Sequence, residues 1–145
     1  MSDLNLNEII NKIDLPIDWV GLREVKEKTT YRIIRDGNPQ ANTQNNSNGI
    51  MIEVLVDGQF GYFGSRNLDF KSILNGAKKA MLQAKEAAKN PIFKFSQKAR
   101  PVTQGSFNSP YLKSVNDVTP GKLNEILLKA CNQLKVNDKI VSASA

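Results

Sequence analysis

The sequence predicts an α+β fold: a curved antiparallel sheet packed against a long helix, with a further C-terminal helix and strand. Two Asp-Gly pairs, at 36–37 and 57–58, each separate strand-like runs. Such pairs favour tight hairpins because both residues tolerate positive φ. From Phe70 to about Lys89, apolar residues recur every three or four positions, which is typical of a helix.

The strand-like runs differ in strength. Residues 19–25 and 29–35 are rich in β-branched and aromatic residues and predict strands. Residues 49–56 form the most apolar run, and 59–64 follow the second Asp-Gly pair directly. Residues 38–48 are polar and almost free of apolar anchors, so we interpret them as a weak strand or a mobile hairpin arm.

Capping residues mark the helix starts. Asp3 or Asn5 can cap a short first helix that ends at about Leu15, and Asp69 can cap the long helix. Thr119 precedes a proline and a third, amphipathic pattern, which predicts another N-cap. The closing residues, KIVSASA, are strand-like but have no later strand to pair with. We therefore expect them to be disordered or to pair with another chain.

Composition excludes several kinds of catalytic site. The 145 residues include no His and one Cys. Serine and cysteine nucleophiles usually need an imidazole base, and most zinc sites use an imidazole ligand. A single Cys also excludes an intrachain disulfide. Since the sequence shows neither a targeting segment nor an apolar run long enough to span a bilayer, we expect a cytoplasmic protein with no membrane partner.

Positive charge is concentrated in the second half of the chain. Residues 1–70 carry 7 basic and 10 acidic side chains, and residues 71–145 carry 13 and 4, which gives a net charge of +6. This asymmetry can indicate contact with nucleic acid or with an acidic protein surface. One stripe of the long helix collects Lys71, Lys78, Lys85 and Lys89. A solvated helix face is the ordinary interpretation, and a polyanion or partner contact is the functional one.

Three other patterns have structural explanations that we prefer. Gly58, Gly61 and Gly64 match neither GxGxxG nor the GxxxxGK[ST] phosphate loop, and close packing within a hairpin explains them better. Cys131 adjoins the apolar face of the third helix and is expected to be a small buried hydrophobe. The scattered aromatic residues are expected to be core and loop anchors, not a base-stacking platform: Tyr62, Phe63, Phe93, Phe95, Phe107 and Tyr111.

Several strings, in this order, resemble the N-terminal region of the TldD/PmbA proteins, a bacterial and archaeal metallopeptidase family also called modulators of DNA gyrase. They are Asp18 before a strand, the Asp36-Gly37 turn, the run from Gly49 to Val56 before Asp57-Gly58 and Gly61, Ser65-Arg66-Asn67-Leu68 before an alanine-punctuated helix, Leu123 to Leu134, and Val141-Ser142-Ala143-Ser144. The resemblance covers nearly the whole chain but about the first third of a typical family member.

One position departs from the family. A GxGxR pattern tends to place an Arg in the strand after a glycine, whereas Met51 and Glu53 occupy the corresponding positions here. The contact that this Arg makes cannot be transferred to Glu53. The resemblance otherwise implies that residues 1–90 form the N-terminal α+β domain and that 91–118 are an irregular connection. Residues 119–145 would supply the helix and strand that start the next domain.

The resemblance implies a peptidase that degrades or trims unfolded peptides, as a homodimer or a heterodimer of related subunits. In the family, a later region holds zinc through a helix-borne HExxxH motif plus a further ligand, and the motif's Glu is the general base. This sequence lacks that motif, so no catalytic residue, metal ligand or cofactor is assigned to it. The N-terminal domain would help shape the peptide cavity and contact the remainder of the parent protein or a related subunit.

Two other hypotheses compete with this one. The chain could be a small basic module that binds nucleic acid or an acidic protein through the four lysines. Nucleic acid is the less favoured partner, because the lysines have no interleaved Arg or aromatic residues. Metal-independent catalysis by Ser96 with Lys98, or by Cys131, is the weakest hypothesis, since nothing in the sequence positions these residues.

Overall fold

A computed structural model describes residues 4–145 and confirms the α+β class. Its helices and strands are α1 (Leu6–Asn11), β1 (Trp19–Arg35), β2 (Asn38–Val56), β3 (Gln59–Ser65), α2 (Phe70–Ala87) and α3 (Pro120–Leu134). Two short 3₁₀ turns, Gln97–Ala99 and Val115–Asp117, lie between α2 and α3. The strands form one open, curved antiparallel sheet in the order β1-β2-β3. Within residues 4–145, no helix has the length and hydrophobicity needed to cross a bilayer.

The chain divides into two compact units. The first unit contains the residues up to Glu27 together with Ser47–Gln104. The second contains Lys28–Asn46 and Gly105–Ala145. Strands β1 and β2 each continue from one unit into the other, so the long hairpin is common to both.

Both predicted hairpin turns are confirmed. The φ angles are 50° and 78° at Asp36-Gly37, and 51° and 80° at Asp57-Gly58. Positive φ at both central residues is the requirement of the two-residue turn whose twist matches the flanking strands. Beyond the second turn, β2 and β3 pair antiparallel from Val56 opposite Gln59.

Strands β1 and β2 are longer than the sequence patterns predict. β1 is one continuous strand where the composition predicts separate strands over 19–25 and 29–35. Residues 38–48 belong to β2, so the weak-strand interpretation is the correct one of the two. A tight turn brings two backbones together, and ladder hydrogen bonds then extend the pairing without apolar side chains.

The core of the first unit lies between α2 and one face of the sheet. Helix α2 buries Ile73, Gly76, Ala77, Ala80 and Ala84. Because alternate residues of a strand share a face, β2 contributes Ile50, Ile52, Val54 and Val56 to the same cluster. Leu4, Leu6 and Ile9 pack against it from the N-terminal segment.

The helix caps follow the predictions where the structure describes them. Asp69 Oδ1 accepts a hydrogen bond of 2.9 Å from Ser72 N at the start of α2. Asn5 Oδ1 accepts one of 3.2 Å from Glu8 N at the start of α1. The alternative cap, Asp3, lies outside the described residues. Helix α1 ends at Asn11 and α2 at Ala87, each somewhat earlier than predicted.

Gly61 allows the closest approach between the sheet and α2. A Cβ at this position would lie 2.8 Å from the Ala80 carbonyl carbon and nearer still to its oxygen. Real Cβ atoms essentially never approach backbone so closely. The close-packing explanation of the glycines is therefore confirmed at Gly61, and Gly58 serves the turn.

The second unit has a smaller core of Ile34, Cys131 and Ala143. Helix α3 begins after Thr119, whose Oγ1 accepts a hydrogen bond of 3.3 Å from Lys122 N. Cys131 is 1% exposed, and its Sγ donates to Ala143 O at 3.1 Å. The prediction of a small buried hydrophobe at position 131 is confirmed.

The end of the chain pairs with β1. Ile34 and Ala145 exchange two backbone hydrogen bonds of 3.0 Å each, and Asp36 N donates to Ala143 O at 2.9 Å. These contacts form an isolated antiparallel bridge, not the predicted C-terminal strand. The expectation of disorder or pairing with another chain is wrong. Backbone groups at the end of β1, beside the Asp36-Gly37 turn, pair with the last residues of the same chain instead.

The Asp36 carboxylate holds this segment in place. It accepts hydrogen bonds from Ala143 N at 3.0 Å and Ser142 Oγ at 2.9 Å, and it pairs with Lys135 Nζ at 3.0 Å. These donors, the Ala143 backbone first, lower the pKa of Asp36 from 3.8 to about 2. Each of them favours the charged form of the carboxyl group.

We expect Gly61→Ala to destabilise the protein by about 1–3 kcal/mol, because α2 must move away from β3 to admit the methyl group. Gly64→Ala is the matched control on the same strand, since a Cβ there meets no heavy atom within 4 Å. We expect its effect to stay within about 0.5 kcal/mol. Urea unfolding measures both. Equal midpoints for the two variants would show that the contact with Ala80 imposes no constraint.

We expect the stabilising effect of Asp36 to depend on pH. Because the pKa of Asp36 is lower in the folded state, its contribution is complete above about pH 4 and is lost as the pH falls toward about 2. The melting-temperature difference between wild type and Asp36→Asn should therefore shrink over this range. Asp138→Asn, at an exposed carboxylate of the same unit, is the control. A difference that stays constant from pH 6 to pH 2 contradicts the role of Asp36.

Candidate functional surfaces

Three of the four lysines singled out in the sequence lie on the side of α2 opposite its buried alanines, and Lys89 follows the end of the helix. All are exposed: Lys71, Lys78, Lys85 and Lys89. Lys71 and Lys78 line one open depression on the helix surface together with Ser72, Leu74 and Asn75. Lys89 Nζ instead pairs with Glu86 at 2.6 Å. The structure thus brings two of the four lysines to one depression and gives a third an acidic neighbour.

A second surface lies on the opposite face of the first unit's sheet. Gly61 packs toward α2, so alternation along β3 places Phe60 and Tyr62 on the outer face. Their ring centroids are 6.3 Å apart. Trp19, at the start of β1, meets the Phe60 ring edge-on with a centroid distance of 6.3 Å. The sheet therefore has one aliphatic face and one aromatic face.

Two more rings reach this face from the connection after α2. Phe95 lies 5.3 Å from Phe60 and 5.0 Å from Phe93, measured between ring centroids. Together with Trp19 and Tyr62 these rings form what we call the outer aromatic cluster. Residues 92–100, which carry Phe93 and Phe95, are called the strap.

Hydrogen bonds anchor the strap to the turn between β2 and β3. Phe95 N donates to Gly58 O at 2.9 Å, and the Gln59 side-chain amide donates to Phe93 O. Farther along, Gln97 Nε2 donates to Asp18 O at 2.5 Å. These bonds give an irregular segment an ordered position on the sheet.

An ion pair closes the far end of the strap. Arg100 Nε lies 3.0 Å from Glu53 Oε1, and its guanidinium is 5.1 Å from the Phe60 ring centroid. Glu53 raises the pKa of Arg100. Partial burial, and then the charge of Glu53, raise the pKa of the Tyr62 hydroxyl. The cluster therefore has a charged pair at its rim.

Much of the cluster is open to solvent. Tyr62, Phe93 and Phe95 are 46%, 65% and 42% exposed. Phe107 and Tyr111, in the second unit, are also exposed. The expectation of core and loop anchors is confirmed for Phe63, which packs against the core of the first unit, and for Phe95 as a loop anchor. Burial in a core is wrong for the five exposed rings.

A signal for this surface exists in the sequence. Once Gly61 is placed against a helix, strict alternation puts both flanking aromatics on the other face. Phe93, Lys94 and Phe95 likewise alternate apolar and polar residues, which indicates an extended segment with both rings on one side. The sequence does not show on which face of the sheet α2 packs, and that position decides which face becomes the core.

Among residues 4–145, the side chains do not form a set of ligands that fits zinc. The sequence has no His. In the part of the chain that the structure describes, no three Cys, Asp or Glu residues come together as a ligand group. Because zinc sites in proteins use imidazole, thiolate or carboxylate ligands in sets of three or four, no zinc-dependent step is assigned to this chain.

A family model matches the part of the chain that forms the sheet and α2. Residues 20–88 match the family model described as PmbA/TldA metallopeptidase domain 1. The resemblance to the first domain of the TldD/PmbA proteins is therefore confirmed over residues 20–88. The match includes all three strands except Trp19, and all of α2. No curated protein matches the sequence.

Two solved structures of larger proteins share the fold of this chain. A proposed modulator of DNA gyrase from Bacteroides thetaiotaomicron aligns with a TM-score of 0.64 and 16% identity, over 94% of this chain and 31% of its own. A second proposed modulator of DNA gyrase, from Thermotoga maritima, aligns with a TM-score of 0.54 and 15% identity, over 86% and 27%. This chain thus spans less than a third of the length of either structure.

Proposed function

We propose that this chain is a non-catalytic N-terminal domain of a TldD/PmbA-like metallopeptidase that acts on unfolded peptides. The domain helps to form the peptide cavity and the contacts between subunits. The observation that carries the proposal is the family match of residues 20–88 to a first domain of metallopeptidases. In this proposal, the zinc ligands of the parent activity come from a region outside this chain.

The relative lengths support a role as one part of a larger protein. Nearly all of this chain aligns with the Bacteroides structure but covers 31% of it. The remaining two thirds leave room for a separate catalytic region. In that arrangement the zinc and its general base come from the remainder of the parent protein or from a related subunit, in a cytoplasmic homodimer or heterodimer.

Helix α3 offers apolar surface for such contacts. Ile126, Leu128 and Leu134 are 52%, 38% and 50% exposed. Ile126 and Leu134 lie toward one side of α3, and Leu128 lies on another side, so the three side chains do not form one patch. We assign residues 119–145 to the start of the next domain of the parent protein on the family resemblance.

We expect the purified chain to bind an unfolded peptide without cleaving it. Fluorescence polarisation of a labelled, ten-residue neutral peptide rich in Phe and Leu measures binding. Mass spectrometry of the same mixture, with and without added Zn²⁺, measures hydrolysis. Binding with intact peptide is expected, because the proposal gives this chain a peptide-facing surface and assigns the zinc ligands to the rest of the parent protein.

Either of two results would contradict the proposal. Zinc-stimulated hydrolysis by the chain alone would show a catalytic site that the sequence does not predict. Absence of peptide binding, even at protein concentrations of about 1 mM, would remove the role in the peptide cavity.

The alternative function is a small basic module for nucleic acid or an acidic protein. It is favoured by the depression that Lys71 and Lys78 share on α2. It predicts DNA binding that weakens steeply with salt, because each phosphate contact releases counterions.

Replacing Lys78 and Lys85 by Ala should lower the slope of log K against log salt by roughly two if both lysines contact phosphates. Lys113→Ala with Lys139→Ala makes the same charge change at exposed positions of the second unit and serves as the control. Electrophoretic mobility shifts with a duplex at several salt concentrations provide the slopes. No detectable binding at low salt, or equal slopes for the two double variants, excludes the lysine stripe as a DNA site.

A further inference from the structure

We propose that the outer aromatic cluster is a binding surface for apolar side chains of an unfolded peptide. This inference rests on the proposed function and deepens it by naming the surface and the peptide chemistry. The occupant is an extended segment, close to neutral, that carries aromatic or large aliphatic residues.

The cluster has the composition of a recognition surface. Tyr62 and Phe93 expose 46% and 65% of their surface, and Met51, on the same outer face of β2, exposes 37%. Aromatic residues and Met are enriched where proteins bind one another, and buried aromatic anchors provide most of the binding energy. The polar rim comes from Glu53 and Arg100.

The rings are held in place before any ligand binds. Phe95 is fixed by its contact with Phe60 and by its backbone hydrogen bond to Gly58 O. Phe93 leans edge-on against Phe95, and the Gln59 side chain holds the Phe93 carbonyl. A surface ordered in advance loses little conformational entropy on binding, so more of the contact energy contributes to affinity.

The strap shows which chemistry this face accepts. Phe95 belongs to an irregular, extended segment, and it packs its ring on Phe60 while its backbone N–H bonds to the neighbouring turn. A peptide with exposed aromatic side chains offers the same ring contacts to the uncovered parts of Tyr62 and Phe93. Phe95 of the strap covers part of Phe60, and the exposed parts of Tyr62 and of the strap's own Phe93 remain available to a second chain.

Charge argues against a polyanion at this position. The strap carries Lys94, Lys98 and Arg100, but three carboxylates lie beside or beneath it. Glu53 pairs with Arg100, Asp18 adjoins the Gln97 contact, and Asp57 lies next to Gly58 in the anchoring turn. Since these charges balance, the surface lacks the positive excess that drives binding to single-stranded nucleic acid.

The test uses the full chain and three fluorescein-labelled probes. The first is the ten-residue neutral peptide with two Phe and two Leu, the second has these four residues replaced by Ser, and the third is a ten-nucleotide oligo-dT. Phe93→Ser and Tyr62→Ser remove one exposed ring each. Phe107→Ser removes an exposed aromatic ring from the second unit and is the matched control. Far-UV circular dichroism and the melting temperature show whether each variant folds.

We expect the first peptide to bind at least about tenfold more tightly than the Ser peptide, and Phe93→Ser and Tyr62→Ser each to weaken binding roughly five- to tenfold. Phe107→Ser should bind as the wild type does. Phe93 and Tyr62 are separate, partly exposed rings, so if one variant misfolds, the other variant still tests the inference.

Three outcomes would overturn the inference. Peptide binding that neither Phe93→Ser nor Tyr62→Ser weakens places the peptide elsewhere on the chain and leaves the proposed function intact. Failure of the wild type to bind any peptide removes both the inference and the peptide role on which it rests. Tighter binding of oligo-dT than of the peptide, with a steep dependence on salt and loss in Phe93→Ser, assigns the cluster to nucleic acid instead.

Discussion

The contact between α2 and the β2-β3 hairpin is the constraint on which the first unit depends. Gly61 lies against the backbone of Ala80, where no side chain could fit. Ala77 and Ala84 keep the helix narrow on either side of this point. Because the helix lies this close, Ile52 and Val54 of the central strand become completely buried. The position of α2 therefore decides which face of the sheet is a core and which remains a surface.

The outer face of the sheet differs in chemistry from the core face. Its side chains are largely aromatic where those of the core face are largely aliphatic, and the strap, not a helix, covers part of it. Its charged pair joins Glu53 on β2 with Arg100, 47 positions later in the sequence. The strap thus brings a guanidinium to β2 from a distant part of the sequence.

Local patterns predicted the elements well because their causes are local. The positive φ angles of Asp57-Gly58 and the cap at Asp69 depend on a few neighbouring atoms. The strand at 38–48 was harder to predict from the sequence, since its strand character comes from backbone pairing with β1 and not from its own side chains. The position of the C-terminal residues was harder still to predict. Their partner, Asp36, is more than 100 residues away in the sequence and becomes a neighbour only after the hairpin forms.

The sequence by itself determined the α+β class, the two tight turns, the helix starts and the absence of histidine chemistry. Each of these follows from residue types at short range or from composition alone. Only the tertiary structure decided that the rings of Tyr62 and Phe93 stay exposed, that Glu53 meets Arg100, and that the chain end returns to β1. These features depend on which surfaces the close approach of α2 leaves uncovered, and burial is a property of the packed chain, not of any segment within it.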